Sequence, residues 1–300
     1  MSAEPIARVM RDLKLNRIRA ADNSPEIKRL NDDTAELALW ADVIDVTPVY
    51  NRWMASGGGT MLYEDHRACP PWENAFLCYE NSLGNVTVMS TRALDIEEID
   101  ATGALSALIE KWESLAETHV IDWDRVKWVT HIALYAGGRS GDGTPVPTFG
   151  PLHCWRIAIY PDGEIADINW IQVNRDLPLQ LWDNALMVWL DTMNMCNCVN
   201  VQIAEPERPR AERKRVTRTG FRVNEIHIRP ISKSYRGKGR PLSAVPSGPL
   251  SSVRGHMVHY GPQYGRGLLF GKYSGRFWIP QHIRGSEAHG VSEQEYSVEP

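Results

Sequence analysis

Between Val126 and Val173 the chain reads as three strands separated by turn formers, the first by its alternation of apolar and polar residues, and this pattern restricts the fold more than any other stretch. A period of two requires strands, because successive side chains in a strand point to opposite faces. Val126 to Ala136 is the first run, His153 to Tyr160 the second and Glu164 to Val173 the third. Pro161-Asp162-Gly163 is a tight-turn sequence, so the last two runs are antiparallel neighbours. Gly137 to Gly143 forms a longer glycine-rich tip ahead of Pro145 and Pro147. Upstream, Ala75 to Glu80 and Val86 to Thr91 are joined by the turn Ser82-Leu83-Gly84-Asn85. These segments predict an antiparallel meander.

Helices flank the meander in sequence. Pro5 to Arg19 carries Ile6, Val9, Leu13 and Ile18 at helical spacing. A second helix starts at Ser24, with Pro25 in its first position, and places Ile27, Leu30, Leu37, Ala41 and Ile44 on one face until Pro48 ends it. Ala101 to His119 puts Leu105, Leu108, Ile109, Trp112 and Leu115 on one stripe, with Thr102 able to cap and Glu97, Glu98 and Asp100 ahead of it. Pro178 to Met195, capped by Asp176, is apolar on most sides and is expected to lie flat on the sheet. Val199 to Ile203 and Phe221 to Ile228 are short strands, and Glu205 to Lys214 is an exposed connector rich in proline and charge. The expected fold is α+β: an antiparallel or mixed sheet, two N-terminal helices, a buried helix on the sheet face and a basic C-terminal β-region. A core domain over 1–205 and a basic region over 206–300, packed onto or extending the core, follow from the shift in composition.

Several function classes are excluded. No apolar run of 18 residues exists to cross a membrane, and the charged N-terminus lacks a signal core. Cys69, Cys78, Cys154, Cys196 and Cys198 are odd in number and scattered, which fits reduced thiols in a cytoplasmic protein better than disulfides. Cys196-x-Cys198 has no second pair and makes a poor zinc site. Ser56-Gly57-Gly58-Gly59-Thr60 lacks the Gly-Lys-Ser/Thr ending of a phosphate-gripping loop. Asp162, Glu164 and Asp167 lack the lysine of a nuclease core, and the turn explains Asp162. No hydrolase or dinucleotide fingerprint is present, and no cofactor or metal is implied.

Charge is the most informative part of the composition. The net charge is −4, yet Arg208 to Arg284 holds 17 Lys and Arg against 2 Asp and Glu, a local balance of +15. The remaining 16 basic and 35 acidic residues give −19. Either the segment binds a polyanion or it matches an acidic surface of the same chain.

The basic segment is densest in binding chemistry between Val253 and Gly285, where seven glycines punctuate short strands and no acid occurs. Cations beside aromatic faces suit phosphate, nucleobase or extended peptide. The candidate binding residues are Arg254, His256, His259, Tyr260, Lys272, Arg276, Trp278, His282 and Arg284, with the basic knuckle Arg236, Lys238 and Arg240 in the loop before them. Alternation turns Phe277 and Ile279 inward and leaves Trp278 outside beside Arg276, with Tyr260 as a cross-strand neighbour. His256 and His259 are three apart; on a strand they point to opposite faces, which argues against a shared metal. The alternative is a histidine-dependent ribonuclease using His256, His259 or His282 as acid and base. A third reading is a virion or assembly protein whose basic segment touches another subunit.

Arg254-Gly255-His256, an aromatic at Tyr260, a glycine and aromatic spacer, then Trp278-Ile279-Pro280 and a closing basic residue resemble the C-terminal signature of a phage-encoded family that includes a type V-A anti-CRISPR protein acting during its target nuclease's translation. The resemblance implies a phage or prophage accessory protein in the cytoplasm of the bacterial host. Its partner would be a host or competing-element polypeptide, a nascent chain, the ribosome or RNA. No catalytic residue is carried over from that family.

Overall fold

Eight strands join in one mixed sheet with helices on both faces, and the chain is α+β. The computed structural model describes residues 4–20, 24–55, 67–114, 121–139, 143–172, 179–205, 223–228, 251–253, 256–269, 273–279 and 282–284. The helices are α1 (Glu4–Lys14), α2 (Pro25–Leu37), α3 (Thr47–Ala55), α4 (Ile96–Ala101), α5 (Leu105–Glu113) and α6 (Leu179–Cys196). The sheet contains β1 (Asp42–Asp45), β2 (Asn74–Glu80), β3 (Asn85–Asp95), β4 (Trp128–Arg139), β5 (Pro145–Ile159), β6 (Ile165–Gln172), β7 (Val201–Ala204) and β8 (Val223–Ile228). Their spatial order is β6-β5-β4-β3-β2-β1-β8-β7.

β2 to β6 form the expected meander, each strand antiparallel to the next. The last turn closes as its sequence requires: Tyr160 N–H donates to Glu164 O at 2.9 Å, and Asp162 Oδ1 accepts from Glu164 N–H at 3.1 Å. Gly163 supplies the positive φ of 88° that a side chain resists.

Two local expectations are corrected. The second helix stops at Leu37, and Ile44 belongs to β1, which runs parallel to both β2 and β8. Ser24 does cap α2, accepting from Ile27 N–H at 3.3 Å. Pro48 lies in the first turn of α3, where its missing N–H costs nothing, and Asp45 Oδ1 accepts from Thr47 N–H at 2.9 Å. The expected helix over 101–119 is broken as well. Gly103, at φ 71°, separates α4 from α5, and Thr102 donates its hydroxyl back to Ile99 O at 2.7 Å. Asp95 is the residue that caps α4.

One face of the sheet carries two separate apolar clusters. Ile6, Val9, Met10 and Leu13 of α1 pack with Ala38 on Val43, Phe76, Cys78, Val86, Val88, Ala133, Tyr135 and Val223. Trp112 of α5 packs with Ile121 and Val126 on Val129 and Ala158. On the opposite face Trp189 of the buried α6 donates its indole N–H to Thr91 Oγ1 at 3.3 Å.

The chain divides into two compact units: Met1–Asn197 with Ile203–His227, and Cys198–Gln202 with Ile228–Pro300. This division differs from a boundary at 205/206. Val223 to His227 pair with the large sheet, while Cys198–Gln202 belong to the smaller unit. Among the described residues no helix is long and apolar enough to cross a membrane.

Candidate functional site

The smaller unit is a β-ribbon. β9 (Ser251–Val253) pairs with β12 (His282–Arg284), and β10 (His256–Tyr260) pairs with β11 (Gly275–Ile279). Partner numbers add to 535 in both ladders, as in His256 with Ile279 and His282 with Val253, so the two share one register. The ribbon therefore brings most of the expected binding positions into two paired segments. Arg236, Lys238, Arg240, Arg254 and Lys272 lie outside the described residues. His256, His282 and Arg284 are placed by their backbone register alone.

Trp278 does not face outward. It is 1% exposed, and Arg276 and Phe277 immediately before it are also buried. Both faces of β11 are covered, so an exposed anchor beside Arg276 is ruled out. The backbone of Trp278 is clamped: its N–H donates to Asn200 Oδ1 and its carbonyl accepts from Asn200 Nδ2, each at 2.8 Å. A single amide thereby supplies the two bonds that a neighbouring strand would make. Val199 N–H adds a third bond, to Arg276 O at 2.8 Å. Tyr260 is opposite Gly275, not Trp278, and packs edge-on against Phe277 with ring centroids 5.9 Å apart.

Among its described residues this unit exposes a stretch of the loop between β10 and β11. Pro262 to Leu268 are all exposed, including Arg266 and Tyr264, the latter at 48%. The loop is held in shape by a 3-10 turn over Pro262–Tyr264 and by Gly265 at φ 66°. Tyr264 leans on His259, their ring centroids 4.6 Å apart. A fixed loop that presents a tyrosine and an arginine suits stacking on a base beside a phosphate. His259 is the one imidazole of the three whose surroundings are described, and it is packed against an aromatic ring.

In the larger unit the cross-strand register assembles a row that reading the chain segment by segment missed. Asn74 (β2), Arg92 (β3), His131 (β4), Arg156 (β5) and Asn169 (β6) are each directly opposite the next, and so share one face. None of them belongs to either apolar cluster on that face. The row separates the two clusters. No ion pair reaches Arg92 or Arg156 among the described residues. Burial, and then the charges of Arg156 and Arg92, pull His131 down to about 4, so its imidazole is neutral at physiological pH. The signal was present in Thr91-Arg92-Ala93, Thr130-His131-Ile132 and Trp155-Arg156-Ile157, where a basic residue interrupts each strand at matching register.

On the other side of the sheet, Asp191 of α6 is 2% exposed and its Oδ2 has no hydrogen-bond partner among the described residues. Burial pushes this carboxyl up to about 6, with Arg52 pulling against it. The five cysteines are free thiols, and burial raises Cys154 to about 12, which keeps it unreactive. No family model, no curated protein and no solved structure matches this chain.

Proposed function

We propose that this protein is a non-enzymatic accessory protein of phage type that binds RNA through its basic C-terminal unit, in the cytoplasm of a bacterial host. The observation that carries the reading is the coincidence of charge and shape. A segment with 17 basic and 2 acidic residues contains a loop whose exposed side chains include Tyr264 and Arg266. The resemblance of Arg254 to Arg284 to the anti-CRISPR family supports the accessory role, and RNA near a nascent host-defence polypeptide is the partner that such a surface fits. With Trp278 buried, the reading rests on the loop residues Tyr264 and Arg266 and on the basic sequence Arg236, Lys238 and Arg240.

The test is filter binding or fluorescence anisotropy of the full chain on single-stranded RNA across a salt series. Log affinity should fall linearly with log salt, with a slope of about −0.7 per neutralised phosphate. Replacing Arg236, Lys238 and Arg240 with Ala should flatten that slope, and Tyr264→Ala should weaken binding at every salt concentration. An affinity that does not change between low and physiological salt sinks the proposal. RNA that is cleaved in the same assay, in proportion to His259, would favour the ribonuclease alternative.

A further inference from the structure

We infer that the row Arg92–His131–Arg156 on the larger unit is a binding site for a phosphate group, separate from the RNA-binding surface proposed above. Three observations meet there. The first is geometric: Arg92 and Arg156 flank His131 from the strands on either side of it, in direct register. Two strand spacings put their Cα atoms about 10 Å apart, a separation that two guanidinium arms bridge to share one tetrahedral anion. Arginine matches phosphate oxygens in bidentate fashion, and among the described residues neither arginine has a carboxylate partner to neutralise it.

The second observation is the imidazole nitrogen that the fold leaves unsatisfied in this row. His131 Nε2 is covered and has no hydrogen-bond partner among the described residues. A buried polar atom without a partner is uncommon in a native fold and calls for an explanation. A ligand oxygen accepting an Nε2 proton from His131 would satisfy the imidazole. Asn74, next to Arg92, and Asn169, next to Arg156, close the row with neutral amides, so no acid opposes an anion within it.

The third is architectural. The α1 and α2 side of this face is sealed by one apolar cluster and the α5 side by another, and the row runs between them. Arg92 is exposed and Arg156 half-buried, so the row reaches solvent. Two like charges held on either side of one imidazole repel each other, and a doubly charged anion between them would turn that repulsion into attraction. Free phosphate and a nucleoside monophosphate offer the same group, and the experiment separates them.

The full chain would be titrated with inorganic phosphate and, in parallel, with adenosine monophosphate, by calorimetry and by following the His131 ring nitrogens in an NMR spectrum. Saturable binding is expected, with a shift at His131 Nε2. Arg92→Gln and Arg156→Gln should each weaken it by tenfold or more, and Arg92→Lys by less. Arg29→Gln, an exposed cation on α2, should leave it unchanged. Melting curves of the variants check that the fold is retained. Binding of both compounds identifies the phosphate group as the whole determinant; binding of the monophosphate alone identifies a nucleotide. If neither binds at millimolar concentration, or both arginine variants bind like the parent, the inference is overturned. RNA affinity is read separately, so failure here leaves the C-terminal proposal intact.

Discussion

Asp191→Asn should make this protein more stable at neutral pH. The carboxyl is buried in α6, and burial raises it from its usual 3.8 to about 6 even with Arg52 nearby. A shift of about 2 units corresponds to about 3 kcal/mol between the two protonation states. The sign follows from proton binding: between 3.8 and about 6 the folded form holds a proton that the unfolded chain has released. Stability from this group is therefore complete below 3.8 and lost as pH rises through about 6. Asparagine keeps the shape and removes the charge. At pH 8 the variant should gain up to about 3 kcal/mol, which for a chain of this size is a rise in Tm on the order of 6–10 °C. At pH 4 the gain should nearly vanish. Urea or thermal denaturation at pH 4, 6 and 8 reads all three points. A variant less stable than the parent at pH 8 refutes the argument, and an equal gain at pH 4 shows that packing, not charge, is responsible.

Other substitutions test the remaining contacts. Trp278→Ala should cost about 3–5 kcal/mol, as a core truncation does, and expose the ribbon to protease; near-wild-type protection would restore Trp278 to the surface. Asn200→Ala, which removes both clamp bonds, should cost about 1–3 kcal/mol by the same assay. Tyr135→Phe strands the Thr34 hydroxyl, now 2.7 Å from the phenol, and should cost about 1–2 kcal/mol in chemical denaturation. His131, held near 4, is protonated in the unfolded chain before the folded one, so its contribution of about 3 kcal/mol is present above 6.5 and lost as pH falls through that window. His131→Gln should flatten acid unfolding between pH 6.5 and 4; an unchanged acid limb counts against it.

Much of the fold was legible because its signals are local. Ser24-Pro25 starts a helix through one side chain and one ring, and Pro161-Asp162-Gly163 fixes a hairpin within five residues. β1 was hidden for a different reason. Ile44 follows Leu37 and Ala41 in helical phase, and nothing nearby reveals its strand partners, one of which arrives at Asn224. The candidate site failed in another way. Assigning Phe277 inward and Trp278 outward assumes that one face of a strand is solvated, and β11 is covered on both, so parity carried no information. The Arg92–His131–Arg156 row could not be counted from the turns: a register shift between Ala158 and Ile159 places Arg156 opposite Asn169 instead of Ile168, and two more shifts lie between the glycine-rich tip and His131. Its chemistry emerges only when five strands are aligned, because no two of its residues are close in sequence.

The parallel pairing of β1 with β8 has a consequence for synthesis. Val43 and Ile44 acquire their second neighbour only when Val223 and Asn224 have left the ribosome, some 180 residues later. Until then a β-branched strand has an open edge of unpaired amides and carbonyls. Long-range parallel closure is also intrinsically slow. A nascent chain stalled before Phe221, or a product cut there, retains its meander and its N-terminal helices but exposes a sticky edge. Such fragments should self-associate while the full-length chain does not.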